Sequence, residues 1–296
     1  MATAADVCES VAGEAPQPIP LLLYHSVSDD PAPGIAPLSV SPDEFRQHMD
    51  ALVESGRKAL TVSDFVDQLR AGSAPERPVL ITFDDGFADS LEVAAPELEV
   101  RKLPATIYLT TGYVGSPGVR RAPRPPGRML ASAQLAELEL AGFEIGAHTQ
   151  RHPELDVVRA DECWEEISGS RSSLEQHLGH QVRTFAYPYG YFNQLVREHV
   201  REAGFDSACA VRNAFSHPAD DRWAMARLTV RRGHRAQTIV DWMEGRGARV
   251  APPKVALRTR AWREVRLARH ILRRRLERWD ARGEAAAGRR GFDGGN

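Results

Sequence analysis

The chain has 296 residues, of which 42% are hydrophobic and 26% charged, and its net charge is −2. That balance excludes a chain-wide polyanion-binding surface, and so a nucleic-acid partner, while the length allows one α/β barrel with a real core. The three cysteines, Cys8, Cys163 and Cys209, are scattered without C-x-x-C spacing, which speaks against both a disulfide framework and a cysteine metal site.

Residues 1–18 are polar, with alanine and proline, and read as a flexible leader. They lack the basic and apolar regions of a secretory signal, and no apolar run reaches the ~18 residues of a membrane span. The expected location is therefore the cytoplasm, with a peripheral membrane contact as an option for the basic tail described below. Leu21 to Tyr24 is a short, continuous apolar run, like a buried strand. From Pro42 to Gly56, Phe45, Met49, Leu52 and Val53 share one helical face. Ser41 and Glu44 fit a capping box with proline at the first helical position. Lys58 to Val62 predicts a second strand, and Ser63 a cap for a short helix through Leu69.

Val79 to Phe83 reads as a buried strand, Ala88 to Arg101 as a helix, and Ala105 to Leu109 as the next strand. Residues 111–131, rich in Gly, Pro and Arg, read as a long surface loop. Ser132 opens a helix that Gly142 ends, and Phe143 to Ala147 returns as a strand. Asp161 to Leu178 predicts a long helix with Trp164, Ile167, Leu174 and Leu178 inward. Arg183 to Tyr187, Asp206 to Val211 and Ala226 to Val230 are the last strands, with a helix from Asn193 to Ala203 between the first two. Seven or eight βα alternations favour a parallel sheet or barrel. The expected domains are a leader (1–18), a barrel (19–250), and a basic amphipathic helix with a disordered tail (251–296).

Polar residues follow the apolar runs at corresponding points. Asp84 and Asp85 follow Val79–Phe83, His148 follows Phe143–Ala147, Pro188-Tyr189-Gly190 follows Arg183–Tyr187, and His25 follows Leu21–Tyr24. In a βα barrel these points share the C-terminal rim, where active sites sit. Adjacent aspartates repel unless a positive group balances them. His148 and His152 are four apart, so a helical turn would aim both at one centre. Asp85 with the two histidines would make an open, catalytic metal site rather than a closed structural one.

At these residues the chain resembles the polysaccharide deacetylases of carbohydrate esterase family 4, over roughly Ile19 to Val230. The resemblance rests on Thr82-Phe83-Asp84-Asp85-Gly86 and on His148-Thr149-Gln150-Arg151-His152. Phe185-Ala186-Tyr187-Pro188-Tyr189-Gly190 and Leu22-Leu23-Tyr24-His25 resemble the branch that includes poly-N-acetylglucosamine deacetylases. The resemblance implies a distorted (β/α)7-type barrel, here with an appended C-terminal helix. It implies removal of N-acetyl groups from N-acetylhexosamine units of a polysaccharide, oligosaccharide or glycan precursor. It also implies a divalent metal, usually Zn²⁺ with Co²⁺ or Ni²⁺ as options, on Asp85, His148 and His152. Asp84 would be the general base and the backbone N–H of Tyr189 the oxyanion donor. Tyr187, Pro188 and Tyr191 would line the sugar site.

Two departures stand out. Ala186 occupies the place of an arginine that orients the base in many members, so the base must be positioned some other way. The late Leu-x-His motif is replaced by Arg227-Leu228-Thr229-Val230. His25 is then the candidate general acid, with His234 as its competitor. The other readings are an O-acetyl esterase or non-sugar amidohydrolase using the same site, and an inactive carbohydrate-binding homologue. His177, His180, His199, His217 and His270 read as surface residues. Tyr108, Tyr113, Tyr187, Tyr189 and Tyr191 lie near the expected rim, where one or two could stack on a sugar.

Residues 254–282 hold eleven Lys and Arg against three Asp and Glu, with Trp262, Val265, Leu272, Leu276 and Trp279 near one helical side. This segment reads as a helix packed on the domain by its apolar stripe, a peripheral contact with anionic membrane, or a partner site.

Overall fold

The computed structural model describes residues 18–73, 75–115, 127–217, 220–252 and 262–272. The readings of residues 1–17, 116–126 and 273–296, Leu276 and Trp279 among them, lie outside the described residues.

The elements alternate as the sequence predicts. In chain order they begin with β1 (Leu21–Tyr24), β2 (Ser26–Val27), β3 (Ser39–Val40), α1 (Pro42–Glu54), β4 (Lys58–Leu60), α2 (Val62–Arg70) and β5 (Pro78–Phe83). There follow α3 (Ala95–Val100), β6 (Ala105–Leu109), α4 (Leu135–Leu140), β7 (Phe143–Ala147), α5 (Ala160–Leu178) and β8 (Thr184–Ala186). The last are α6 (Gln194–Glu202), β9 (Ser207–Cys209), β10 (Leu228–Thr229), α7 (Ala236–Met243) and α8, over residues 262–272.

Several local expectations hold in detail. Ser41 and Glu44 form the reciprocal capping box of α1. Three expectations are corrected. Thr61, not Ser63, caps α2, its hydroxyl taking the N–H of Asp64. The helix expected over Ala88 to Arg101 is split into a π-turn at Ser90–Ala94 and α3. Pro96 lacks the N–H that a continuous α-helix needs there. Trp164 does not face inward but is 38% exposed, and the buried stripe of α5 is Cys163, Glu166, Ile167, Ser170 and Leu174.

The main sheet has eight strands in the order β10-β1-β5-β6-β7-β8-β9, with β4 also paired to β5. All its strand pairings are parallel. The last strand segment touches both ends of this order. Met225 bridges to Cys209 of β9, while Leu228 and Thr229 pair with β1. The sheet therefore curls on itself into a distorted βα barrel with helices outside.

Strand alternation sorts the side chains. On β5, Val79, Ile81 and Phe83 join the large cluster that also holds α1, α3 and α5 residues, while Leu80 belongs to a second cluster with Leu21, Tyr108, Ala186, Cys209 and Met225. That second cluster is the barrel interior. By the same alternation Thr82 and Asp84 share the interior face of Leu80, and Arg227 shares that of Met225. This parity places a carboxylate and an arginine inside the barrel, facing each other.

Candidate metal centre on the barrel rim

Asp84 and Asp85 leave the end of β5. Asp84 is 2% exposed and its N–H still bonds to the carbonyl of Tyr24 on β1. Asp85 adopts a left-handed backbone, φ 74°, as does Gly86, φ 91°. That sharp turn sends the two carboxylates to one centre rather than to opposite faces of a continuing strand. A side chain at Gly86 would strike Leu109, with a Cβ 2.8 Å from Leu109 Cδ2.

His148 leaves β7 and is 1% exposed. Its Nδ1 lies 2.8 Å from the carbonyl oxygen of Ala186. A carbonyl only accepts, so Nδ1 carries the proton and Nε2 presents a lone pair. His152 reaches the same point by a route the sequence does not suggest. The segment is not a helical turn: Thr149 and His152 are both left-handed, φ 68° and 59°. The hydroxyl of Thr149 takes the N–H of His152. Glu166 of α5, fully buried, takes the N–H groups of Gln150 and Arg151 at 2.9 and 2.8 Å and pairs with the Arg151 guanidinium. A buried carboxylate thus pins the backbone of the histidine loop.

The ligand atoms of Asp85, His148 and His152 all lie within 4.8 Å of one another. The two Nε2 atoms are 3.1 Å apart, and Asp85 Oδ1 is 3.6 Å from His148 Nε2 and 3.3 Å from His152 Nε2. Tetrahedral ligands at 2.0–2.1 Å from a zinc ion stand about 3.3 Å apart, so these separations and this donor set fit a divalent ion. Electrostatics agree. Burial lowers both imidazoles to about 4, which leaves them neutral and able to donate lone pairs at neutral pH. Burial also raises the Asp85 carboxyl, against the opposing pull of His25 and His148.

Asp84 belongs to a different arrangement. Its two oxygens accept from Arg227 Nη1 and Nη2 at 2.6 and 2.7 Å. Arg227 is fully buried, its Nε donates to the carbonyl of Ala210, and its guanidinium lies 5.4 Å from the Tyr108 ring centre. Burial alone would raise the Asp84 carboxyl, but the Arg227 guanidinium and His148 outweigh it and hold it at about 2. Arg227 therefore sits where it can orient Asp84 in place of the arginine absent at Ala186. The sequence did carry a signal: an arginine inside the apolar run Ala226–Val230, on the interior parity. Glu166 carried a similar one, as a charge on the buried stripe of α5.

His25, at the end of β1, is close enough to act electrostatically on Asp84, Asp85 and His152. Its Nδ1 is buried without a hydrogen-bond partner. His234 lies elsewhere, its ring edge-on to Trp242 at 5.3 Å and its carbonyl bonded to His48 Nε2. His48, which the sequence reading passed over, is a buried core histidine that also meets the hydroxyl of Tyr24.

Tyr189 is left-handed, φ 57°, and its ring stands edge-on to His152 with centres 4.6 Å apart, so the Pro188–Tyr189 peptide borders the triad. Gly190 lets this turn press on the chain that follows β9, since a Cβ there would lie 2.4 Å from Val211 N. Tyr191 stacks on Tyr189 at 5.9 Å. Tyr187 and Pro188, expected to line a sugar site, are buried, and the Tyr187 hydroxyl is spent on the carbonyl of Trp223. Tyr108 is an interior residue bonded to Thr184 and Cys209, not a rim residue. Tyr113 does lie at the rim, where burial and the nearby Asp85 push its hydroxyl to about 12.

Comparison with known proteins gives a consistent result. The family model for polysaccharide deacetylase matches residues 71–208. The Bacillus subtilis protein YxkH, placed by name among the polysaccharide deacetylases, is 27% identical over 221 residues, which is 74% of each chain. The poly-beta-1,6-N-acetyl-D-glucosamine N-deacetylase of Staphylococcus aureus is 25% identical over 201 residues, 65% of this chain and 68% of that one. The structure of Streptococcus pyogenes deacetylase PplD in complex with acetate superposes with TM-score 0.69 at 24% identity, covering 77% of this chain and 99% of that one. The strand order, the rim site and the matched segment agree: over residues 71–208 the chain is similar to the polysaccharide deacetylases.

Proposed function

We propose that this chain is a divalent-metal-dependent hydrolase that removes N-acetyl groups from N-acetylhexosamine units of a polysaccharide or oligosaccharide, releasing acetate. The observation that carries the reading is one rim holding two separate devices. Asp85, His148 and His152 converge as neutral or anionic donors, and beside them Asp84 is clasped by Arg227 and left out of that set. A structural metal site would enlist all the nearby donors, whereas a hydrolytic one keeps a carboxylate free for the proton.

Zinc suits two imidazoles and a carboxylate, and Co²⁺ and Ni²⁺ accept the same donors. Bound there, the ion would act as a Lewis acid toward the acetamide carbonyl and the attacking water. Asp84 accepts the proton that the water loses as its oxygen bonds to the acetyl carbon. Held near 2, Asp84 is a weak base on its own, so it depends on the water being acidified and in return stays ionised. The N–H of Tyr189 stabilises the oxyanion. His25 then gives a proton to the nitrogen as the carbon–nitrogen bond breaks, and the products are acetate and a free amine.

The Staphylococcus aureus relative is an N-deacetylase by name, which favours the amide over an O-acetyl ester as the bond attacked. The complete donor triad and the clasped aspartate favour an active enzyme over a carbohydrate-binding homologue. The test is an acetate-release screen with added Zn²⁺, Co²⁺ or Ni²⁺ against N-acetylated polymers and oligomers, O-acetylated sugars and non-sugar acetamides. Release from the N-acetylated sugars above all others is expected. Release confined to O-acetyl esters or to non-sugar amides would overturn the assignment.

A further inference from the structure

Of the three readings of the basic segment, packing on the domain by the apolar stripe is not what the described part of α8 shows. Along residues 262–272 the side turned to the domain carries Arg263, Arg266 and Leu267, while Trp262, Val265 and Leu272 are 43, 43 and 59% exposed. The helix is fastened by charge. Arg266, 4% exposed, donates through Nη1 and Nη2 to the two oxygens of buried Asp156 at 2.6 and 2.7 Å. Buried bidentate pairs are poor sources of net stability, but they fix one geometry. The geometry fixed here is on the rim of the candidate site. The Arg266 guanidinium lies 3.5 Å from the ring centre of Tyr191, and Trp262 Nε1 is 3.4 Å from the Tyr191 hydroxyl.

A row of rings results. His152 of the triad meets Tyr189 at 4.6 Å, Tyr189 stacks on Tyr191 at 5.9 Å, and Tyr191 joins Trp262 and Arg266 of α8. Two of its rings are open to solvent: Tyr189 is 53% exposed and Trp262 43%. A pyranose presents a flat C–H face ringed by hydroxyls, so an exposed aromatic plane with polar groups at its edge is its natural complement. The charges of Arg266 and Asp156 cancel, which suits an uncharged ligand. The row begins at a residue of the triad, so a ligand lying along it is continuous with whatever occupies the metal centre.

We propose that Tyr189, Tyr191 and Trp262 form an extended subsite for the sugar units next to the one being deacetylated, with Arg266 and Asp156 as its positioning pair. The substrate class is then a chain of several N-acetylhexosamine units, not a single sugar. This rests on the proposed deacetylase reading, and α8, outside the residues matched by the family model, supplies the outer part of the site.

The test uses the full chain reconstituted with metal, with β-1,6- and β-1,4-linked N-acetylglucosamine dimers and hexamers. The wild type should prefer hexamer to dimer in kcat/KM. Trp262→Ala should lower that preference about tenfold, through KM, while Trp262→Phe, which keeps a flat ring, should restore most of it. Calorimetric binding of the hexamer to Asp84→Asn, with and without Trp262→Ala, reads the subsite without turnover. Hexamer binding that weakens about tenfold upholds the subsite even if no acetate is released, in which case only the deacetylase reading falls. Equal binding with and without Trp262, or a wild type with no preference for hexamer, would overturn the subsite and leave the deacetylase reading standing.

Discussion

Arg227 and Asp84 meet inside the barrel through two hydrogen bonds of 2.6 and 2.7 Å, although 143 positions separate them in the chain. The pair is fully desolvated, so its two halves are not equivalent to replace. Arg227→Lys keeps the charge but loses the fork, and kcat/KM should fall about 10–100-fold with metal content unchanged. Arg227→Met strands a buried carboxylate and should cost about 3–5 kcal/mol in urea unfolding. Wild-type kinetics in Arg227→Lys would show that Asp84 needs no orientation.

His25 and His234 make opposite predictions. His25→Ala removes the proposed acid and should lower kcat about 10²–10⁴-fold. His234→Ala, at a ring that packs edge-on to Trp242, should stay within a few-fold of wild type. Steady-state acetate release decides between them, and the reverse pattern would move the acid to His234.

Glu166→Gln tests the loop that aims the histidines. The carboxylate takes two backbone N–H groups and the Arg151 guanidinium, and an amide oxygen with no charge holds them less firmly. Metal affinity should fall about 10–100-fold, the scale seen when outer-shell partners of metal ligands are lost. Competition with a chromophoric chelator measures it, and an unchanged affinity would mean the loop holds its shape alone.

These residues also show how far the sequence reaches. The strands, the rim and the triad were legible because each needs only local signals: a short apolar run, then a polar residue at its end. Ala105–Leu109 and Phe143–Ala147 emerge with the predicted bounds for that reason. Arg227 was hidden because its partner comes from parity across a closed sheet, not from neighbours in sequence. Trp164 misled because the helical period alone does not distinguish it from Cys163, one position away, which takes the buried side of α5 while Trp164 meets the His199 ring edge-on at its surface. The path of His148 to His152 was misread as a helical turn because two left-handed residues leave no mark in a sequence without glycine. The orientation of α8 depended on Asp156, more than a hundred residues upstream.

The outward side of α8 bears on the basic tail. Val265 and Leu272 point away from the domain, beside Arg269, in a segment whose sequence is strongly basic. Among the described residues no helix is long and apolar enough to cross a membrane. A peripheral contact with anionic lipid would use this face, each basic residue adding on the order of 1 kcal/mol. Co-sedimentation with vesicles containing phosphatidylserine should occur at low salt and weaken in Val265→Glu with Leu272→Glu. Equal recovery in the pellet with neutral vesicles, or no effect of the two changes, would remove this contact.

The most direct test of the account measures metal content and acetate release on the same samples. The wild type should carry one divalent ion per chain, release acetate from N-acetylglucosamine oligomers, lose activity on chelation and regain it with Zn²⁺, Co²⁺ or Ni²⁺. His148→Ala and Asp85→Ala should lose both ion and activity, whereas Asp84→Asn should keep the ion and lose about 10²–10⁴-fold in kcat. A chelated wild type that still releases acetate at full rate, or an Asp84→Asn variant that binds metal and turns over normally, would contradict the division of labour between the two aspartates.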